Sequence, residues 1–332
     1  MSEWRADPVT GEWVIVASDA PMRLRDFDLD ERPPEADGLC PLCEGHEHVA
    51  GREILAVRNG SAGDGPGWDL RVVPNRVPVL RVEAGGDGAT DGLLAYHPGL
   101  GAHEVVVESP RHDASWFTMS DGDLTRVLMA WRERIADLRR DTRMTVAVAY
   151  KNHGAKAGAR LGHPHSQVVA MPRVPPRLAN ELRGAERHHA VSGNCVFCDL
   201  IAQEVASGAR VVAATERCVA LAPYAARSPF EVWLLPRQHA ARFETAEPAD
   251  IAAVAAALRQ VLAQMDAQLG RPAFNAVLHT TPYGAAVEAA YHWHLELVPR
   301  VLRTTGFDIG TGTTVNPVSA EKAARVLRGA AG

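Results

Sequence analysis

One short run of the 332-residue sequence gathers Asn152, Gly154, Gly158, Arg160, Gly162, His163, His165, Ser166 and Gln167, and these residue types suit phosphoryl chemistry. Glycines let a backbone approach a phosphate closely and present its N–H groups. A neutral imidazole can attack phosphorus, and the resulting phosphoramidate is reactive enough to be discharged by a second acceptor. His165 is therefore the candidate nucleophile. Gln167 can donate to a phosphoryl oxygen without adding charge. The plainer alternative makes His165 a core or supporting histidine.

A second chemistry is written in the cysteines. Of five, four form C-x-x-C pairs, Cys40/Cys43 and Cys195/Cys198, and Cys218 is left over. Such pairs alone also suit a redox couple or buried thiols. The 14 histidines tip the balance toward zinc, which takes thiolates and imidazoles tetrahedrally. The candidate sets are Cys40, Cys43, His112 and His163, then Cys195, Cys198, His239 and His292. Four protein ligands leave no open position, so both sites read as structural. The second metal could be zinc or iron, or the site could be empty. Alternation along a strand puts His163 and His165 on one side, the first toward a metal and the second toward the reaction centre.

The elements that must carry these groups occur twice, in the same order. Each C-x-x-C is followed by a strand-like stretch, a β-rich segment ending near a histidine, a helical pattern and an H-x-H strand. The interval from His112 to His163 nearly equals that from His239 to His292. In the first copy Ser120 is a candidate N-cap, with Leu124, Val127, Leu128, Trp131, Ile135 and Leu138 at helical spacing. In the second, a helix runs from about Pro248 through Ile251, Val254, Leu258, Val261, Leu262 and Met265. Residues 83–102 read as a Gly- and Asp-rich loop, and residues 174–194 as a connector. The expected halves are 1–175 and 176–332. The second copy is an internal control: Leu295 and Glu296 follow His294 where Ser166 and Gln167 follow His165. A carboxylate there would repel a phosphate, which assigns the chemistry to the first half.

Composition is that of a folded protein with a real core, 46% apolar and 23% charged. The net charge of −5 gives no basic footprint for nucleic acid. No apolar run approaches the roughly 20 residues of a membrane-spanning helix, and no signal-peptide pattern opens the chain. A cytoplasmic protein is expected.

With these motifs in place, the sequence resembles the galactose-1-phosphate uridylyltransferase family of the histidine-triad superfamily over nearly its whole length. The resemblance rests on Arg5-Ala-Asp-Pro-Val-Thr-Gly-Glu-Trp-Val, Pro74-Asn75-Arg, Ser-Pro-Arg-His112, His163-Pro-His-Ser-Gln167, Gly306-Phe-Asp-Ile-Gly-Thr-Gly and Asn316-Pro. It implies an α+β fold, a duplicated histidine-triad-like unit with an antiparallel sheet flanked by helices. It also implies a ping-pong reaction in which His165 takes UMP from a UDP-sugar and passes it to a sugar 1-phosphate. The His163 carbonyl would orient the His165 ring and Gln167 would stabilise the adduct. Arg23, Asn75, Asn152 and Ser166 are the candidate substrate contacts. Members form homodimers whose sites borrow partner residues, here around Phe307 and Asp308.

Three departures stand out. The first arginine of the family's Arg-x-x-Arg-Pro is missing from Ala20-Pro-Met-Arg23, Arg160 stands where a small residue is usual, and Asp308 replaces a longer Glu. Arg160 or Arg25 could restore the lost charge, with a sugar other than galactose; Arg160 reads equally as a solvated loop residue. The His-Pro-His-x-Gln motif is taken to lean toward the uridylyltransferases over the related ADP-glucose phosphorylases, whose middle residue is usually Ser. Two other readings stay open. One is phosphorolysis or hydrolysis of a nucleoside diphosphate sugar or dinucleoside polyphosphate. The other is a non-catalytic, zinc-stabilised nucleotide-binding protein.

Overall fold

The computed structural model describes residues 2–17, 27 and 39–329. The first half holds β1 (Glu3–Ala6), β2 (Trp13–Val16), α1 (Glu47–Ala50), β3 (Leu55–Arg58), β4 (Trp68–Pro74), β5 (Ala89–Asp91), β6 (Leu94–Tyr96), β7 (Ala102–Val107), α2 (Asp121–Leu138), β8 (Val146–His153) and β9 (His165–Met171). The second holds α3 (Pro176–Ser192), α4 (Val196–Ser207), β10 (Val211–Ala214), β11 (Cys218–Leu221), β12 (Val232–Pro236), α5 (Pro248–Leu269), β13 (Phe274–His279), β14 (His294–Pro299), α6 (Gly306–Thr311), β15 (Val315–Asn316) and α7 (Ala320–Leu327).

Ten strands form one sheet in the order β10-β11-β12-β14-β13-β8-β9-β7-β4-β3. Every neighbouring pair is antiparallel. The order is a palindrome of the two copies: β8 and β13 meet at the centre, where Asn152 lies opposite Asn275. The duplication thus closes into one continuous sheet rather than two separate ones.

The long helices α2 and α5 cover one face. Their apolar stripes pack with Leu70, Val106, Ala149, Val168, Leu234 and Leu297 in the main core. The predicted cap is present: Ser120 accepts from the Asp123 N–H while the Asp123 carboxylate accepts from the Ser120 N–H.

The two copies differ on the opposite face. Over the second half, Leu178 of α3 and Phe197 and Leu200 of α4 pack on Leu221, Trp233 and Leu235. Over the first half, among the described residues, there is a small cluster of Cys40, Leu42, Ala50, Val73 and Val107, with Val105 and Leu161 against it. That difference leaves a cavity beside β9.

The expected connector is mostly α3. Pro176 fills its first turn, Gly193 ends it in the left-handed conformation, and Leu178, Glu181 and Ala185 form its buried stripe. Gly184 is required there, because a Cβ would lie 1.6 Å from the Val9 carbonyl oxygen. The loop at 83–102 likewise contains the β5–β6 hairpin.

Candidate active site

His165 opens β9, facing the cavity. Its Nδ1 lies 2.8 Å from the His163 carbonyl oxygen. A carbonyl only accepts, so Nδ1 carries the proton and Nε2 keeps its lone pair. Burial first, then the positive charge of Lys151, pushes the imidazole pKa down, which keeps the ring neutral and nucleophilic. Lys151 points to the opposite face, where Nζ is 2.6 Å from Glu108 Oε2 and donates to the His165 carbonyl oxygen at 3.0 Å.

The cavity, about 680 Å³, is bounded by Leu42, Asn75, Tyr150, Asn152, Arg160 and Gln167 among others. Apolar Leu42, Ala50, Val73, Val105 and Leu161 give it one greasy wall, and the amides give it a polar floor. Asn275 Nδ2 donates to Asn152 Oδ1 at 2.7 Å and to the Ala157 carbonyl oxygen at 2.9 Å. Arg300 donates in turn to Asn275 Oδ1. Asn152 is thereby held with its NH2 outward, by a residue of the second half.

The two cysteine–histidine sets assemble as expected, each with its ligand atoms within 4.8 Å of one another. Their internal distances repeat: Cys43 Sγ is 3.3 and 3.6 Å from Nδ1 of His112 and His163, and Cys198 Sγ is 3.3 and 3.6 Å from Nδ1 of His239 and His292. His163 Nε2 donates to the Ser109 carbonyl oxygen at 2.8 Å and His239 Nε2 to that of Glu288 at 2.7 Å. That leaves the Nδ1 lone pairs facing the thiols, and the donor set fits zinc. One expectation about the first set changes. His163 precedes β9, so the Gly-rich loop aims it rather than strand alternation.

A third group, Glu181, His279 and His294, also comes together. Both nitrogens of His279 already face carboxylates, Nδ1 that of Glu181 at 2.9 Å and Nε2 that of Glu296 at 3.4 Å. Burial alone would lower this imidazole's pKa, but Glu181 and Glu296 outweigh it and raise it to about 10. Arg177 and Arg227 also bind Glu296, making this an ion network.

Several predicted contacts fall elsewhere. Ser166 is buried on the helix side and accepts from Trp131 Nε1 at 2.8 Å, because neighbours of His165 on a strand point away from it. Its side chain does not line the cavity. Phe307 and Asp308, expected to serve a partner's site, do not line this chain's own cavity. The Asp308 carboxylate caps its own helix, accepting from the Thr305 N–H at 2.6 Å. Arg23 and Arg25 lie outside the described residues. Arg160 lines the cavity and is exposed. Sequence reasoning missed His103, Tyr150 and Asn275. Each is a single residue on a strand, outside any motif, and only its difference from its counterpart in the other copy could have flagged it.

An imidazole with a free Nε2 over an amide-floored cavity, beside a cysteine–histidine cluster that recurs across one sheet, defines a duplicated α+β protein with one open histidine site. Residues 1–175 match the N-terminal domain of galactose-1-phosphate uridyl transferase and residues 181–328 its C-terminal domain, and the chain belongs to that family. It is 32% identical to an ADP-glucose phosphorylase of Arabidopsis thaliana, over 98% of this chain and 92% of that one. It is 27% identical to the galactose-1-phosphate uridylyltransferase of Thermotoga maritima, over 99% and 98%. The crystal structure of an Arabidopsis thaliana ADP-glucose phosphorylase with bound ADP-glucose superposes with a TM-score of 0.83 at 30% identity, covering 99% of each chain. The relatives thus include both a phosphorylase and uridylyltransferases, so the leaning toward the latter drawn from the motif is not decided by them.

Proposed function

We propose that this enzyme moves a nucleoside monophosphate from a nucleoside diphosphate hexose onto His165 Nε2 and then to a phosphate-bearing acceptor. The observation that carries the reading is the committed Nδ1–H of His165, which leaves Nε2 as an in-line nucleophile above the amide floor. Nε2 attacks the α-phosphorus, the bond to the bridging oxygen breaks, and sugar 1-phosphate leaves. A phosphate oxygen of the acceptor then attacks the same phosphorus and displaces His165. The amides of Asn75, Asn152 and Gln167 donate to the phosphoryl oxygens, and the apolar wall around Leu42 and Val105 takes the base. Zinc, held by Cys40, Cys43, His112 and His163 and again by Cys195, Cys198, His239 and His292, fastens the loops that bear Leu42 and α4.

Inorganic phosphate is the acceptor and an ADP-hexose the donor in our preferred reading, supported by the identity to the ADP-glucose phosphorylase over nearly the whole of both chains. The second reading, UMP exchange between UDP-sugar and sugar 1-phosphate, is favoured by the family match and the Thermotoga maritima relative. Incubating the enzyme with ADP-glucose or UDP-glucose and either phosphate or hexose 1-phosphates, then separating the products, decides between them. ADP formation from ADP-glucose and phosphate supports the first; exchange only with a hexose 1-phosphate supports the second.

A homodimer belongs to the same proposal. Helix α6 buries none of its residues and leaves Phe307 and Ile309 exposed, as expected of a segment that completes a partner's site. Light scattering at micromolar concentration tests this. Reduced thiols in both clusters suit a cytoplasmic location. Among the described residues, no helix is long and apolar enough to cross a membrane.

A further inference from the structure

We infer that His103 is a positioning residue that locks the Gln167 side chain with its NH2 group toward the cavity. The inference rests on the proposed transfer through His165, and its basis is a chain of hydrogen bonds whose directions are forced.

His103 lies on β7, one strand from Gln167, and is buried. The backbone N–H of Val79 lies 3.0 Å from His103 Nδ1. A backbone N–H can only donate, so Nδ1 presents a lone pair and the neutral ring carries its proton on Nε2. Burial pushes the pKa of this imidazole down, which favours the neutral ring. His103 Nε2 is 2.6 Å from Gln167 Oε1 and must donate to it. The Tyr150 hydroxyl donates to the same oxygen at 3.0 Å. Both acceptor positions of that oxygen are then filled, and the NH2 group is left to the cavity.

Asn75 stands beside the pair. Its Oδ1 accepts from the Val77 N–H at 2.9 Å, which fixes its amide, and its Nδ2 lies 3.0 Å from His103 Nε2. With the ring proton on Nε2 that contact joins two donors and makes no hydrogen bond.

The lock matters because the two ends of a glutamine amide have nearly the same shape, so packing cannot choose between them. A flipped Gln167 would aim Oε1 at a phosphoryl oxygen and replace attraction by repulsion. Only a committed donor can prevent it, and His103 is that donor, since the Tyr150 hydroxyl could turn to accept from a flipped amide. The other copy of the fold lacks the whole arrangement. By register, Glu231, Val277 and Glu296 occupy the places of His103, Tyr150 and Gln167.

The test compares His103→Leu, which removes the donor, with His103→Gln, whose amide nitrogen reaches nearly the same point. It adds Gln167→Ala and the double variant His103→Leu/Gln167→Ala. With the better of ADP-glucose and UDP-glucose as donor, His103→Leu is expected to lower kcat by about 10- to 100-fold, with KM changed far less. His103→Gln should recover most of that loss, and in the Gln167→Ala background His103→Leu should cost no more than about twofold. Equal losses in His103→Leu and His103→Gln, or a full loss persisting in the Gln167→Ala background, would overturn the inference. Nitrogen NMR of the ring supplies a readout independent of turnover: the Nε2–H tautomer is expected, and Nδ1–H contradicts it. Failure of the transfer reading itself would show differently, as the absence of any nucleotide adduct on wild-type protein.

Discussion

The two copies in this chain present the same backbone to opposite chemical purposes. In each, a histidine at the start of a central strand offers Nδ1 to the carbonyl of the histidine two residues earlier, at 2.8 Å for His165 and 3.1 Å for His294. Around His165 stand neutral groups: Asn152, Tyr150, Gln167 and His103. Around His294, the register places His279, Val277, Glu296 and Glu231 at those positions. His294 is also boxed in, with the His279 and Phe197 rings each 4.8 Å away. A site that receives a polyanion needs donors and no local negative charge. The mirror site instead spends its carboxylates on arginines that tie α3 and the Arg227 turn to the sheet. Among the described residues, α3 and α4 cover the second copy's outer face and make it a buttress, while a small cluster around Cys40 and Val107 lies over the first.

Exchanging one residue at the equivalent positions should break the comparison most sharply. Gln167→Glu puts a carboxylate against the phosphoryl group, and turnover should fall by about 10³-fold or more, measured by steady-state kinetics. Glu296→Gln, its counterpart, should leave the transfer chemistry in place. It strands Arg177, Arg227 and the His279 cation, and denaturant unfolding should show a loss of about 3–5 kcal/mol.

Metal removal should separate the copies next. Cys43→Ser loosens the loop that carries Leu42, so activity should fall at least about tenfold, together with stability. Cys198→Ser lies far from His165 and should lower the melting temperature while changing kcat much less. Zinc content is expected to be two per chain in wild type and one in each variant.

The pH dependence of stability should carry a signature of the second copy alone. The His279 pKa is raised in the folded state to about 10 from an ordinary value of 6.5. Its contribution to stability is therefore complete below about pH 6.5 and is lost as pH rises through 10. Melting temperatures between pH 7 and 10 should fall more steeply in wild type than in His279→Gln. Parallel curves would show that this ring is not a folded-state cation.

The smallest effect is expected at Arg160, which is exposed on the cavity rim. Arg160→Ser should raise the acceptor KM only severalfold, as suits a solvent-screened charge. An unchanged KM would remove Arg160 from the site.

Much of this was legible in the sequence, for reasons that differ by residue. The cysteine–histidine sets and the helix stripes follow from ligand chemistry and periodicity, and Ser120 from capping chemistry. The candidate nucleophile, His165, was read from the Gly-rich run before it and from imidazole chemistry, with Gln167 as a neutral donor. Strand alternation puts Ser166 on the helix face, yet Ser166 was assigned to the substrate because the motif was read as a block. Residues 174–194 read as a linker, though Leu178, Glu181 and Ala185 carry a helical stripe. His103 and Asn275 act through side chains across neighbouring strands, and sequence spacing holds no information about which strands become neighbours.

The most direct test of the account is the intact mass of the protein after incubation with ADP-glucose and, separately, UDP-glucose. Wild type and His294→Ala should gain one nucleoside monophosphate from the productive donor, and His165→Ala should gain nothing. An adduct that survives in His165→Ala, or none with either donor in folded, zinc-loaded wild type, would contradict transfer through His165.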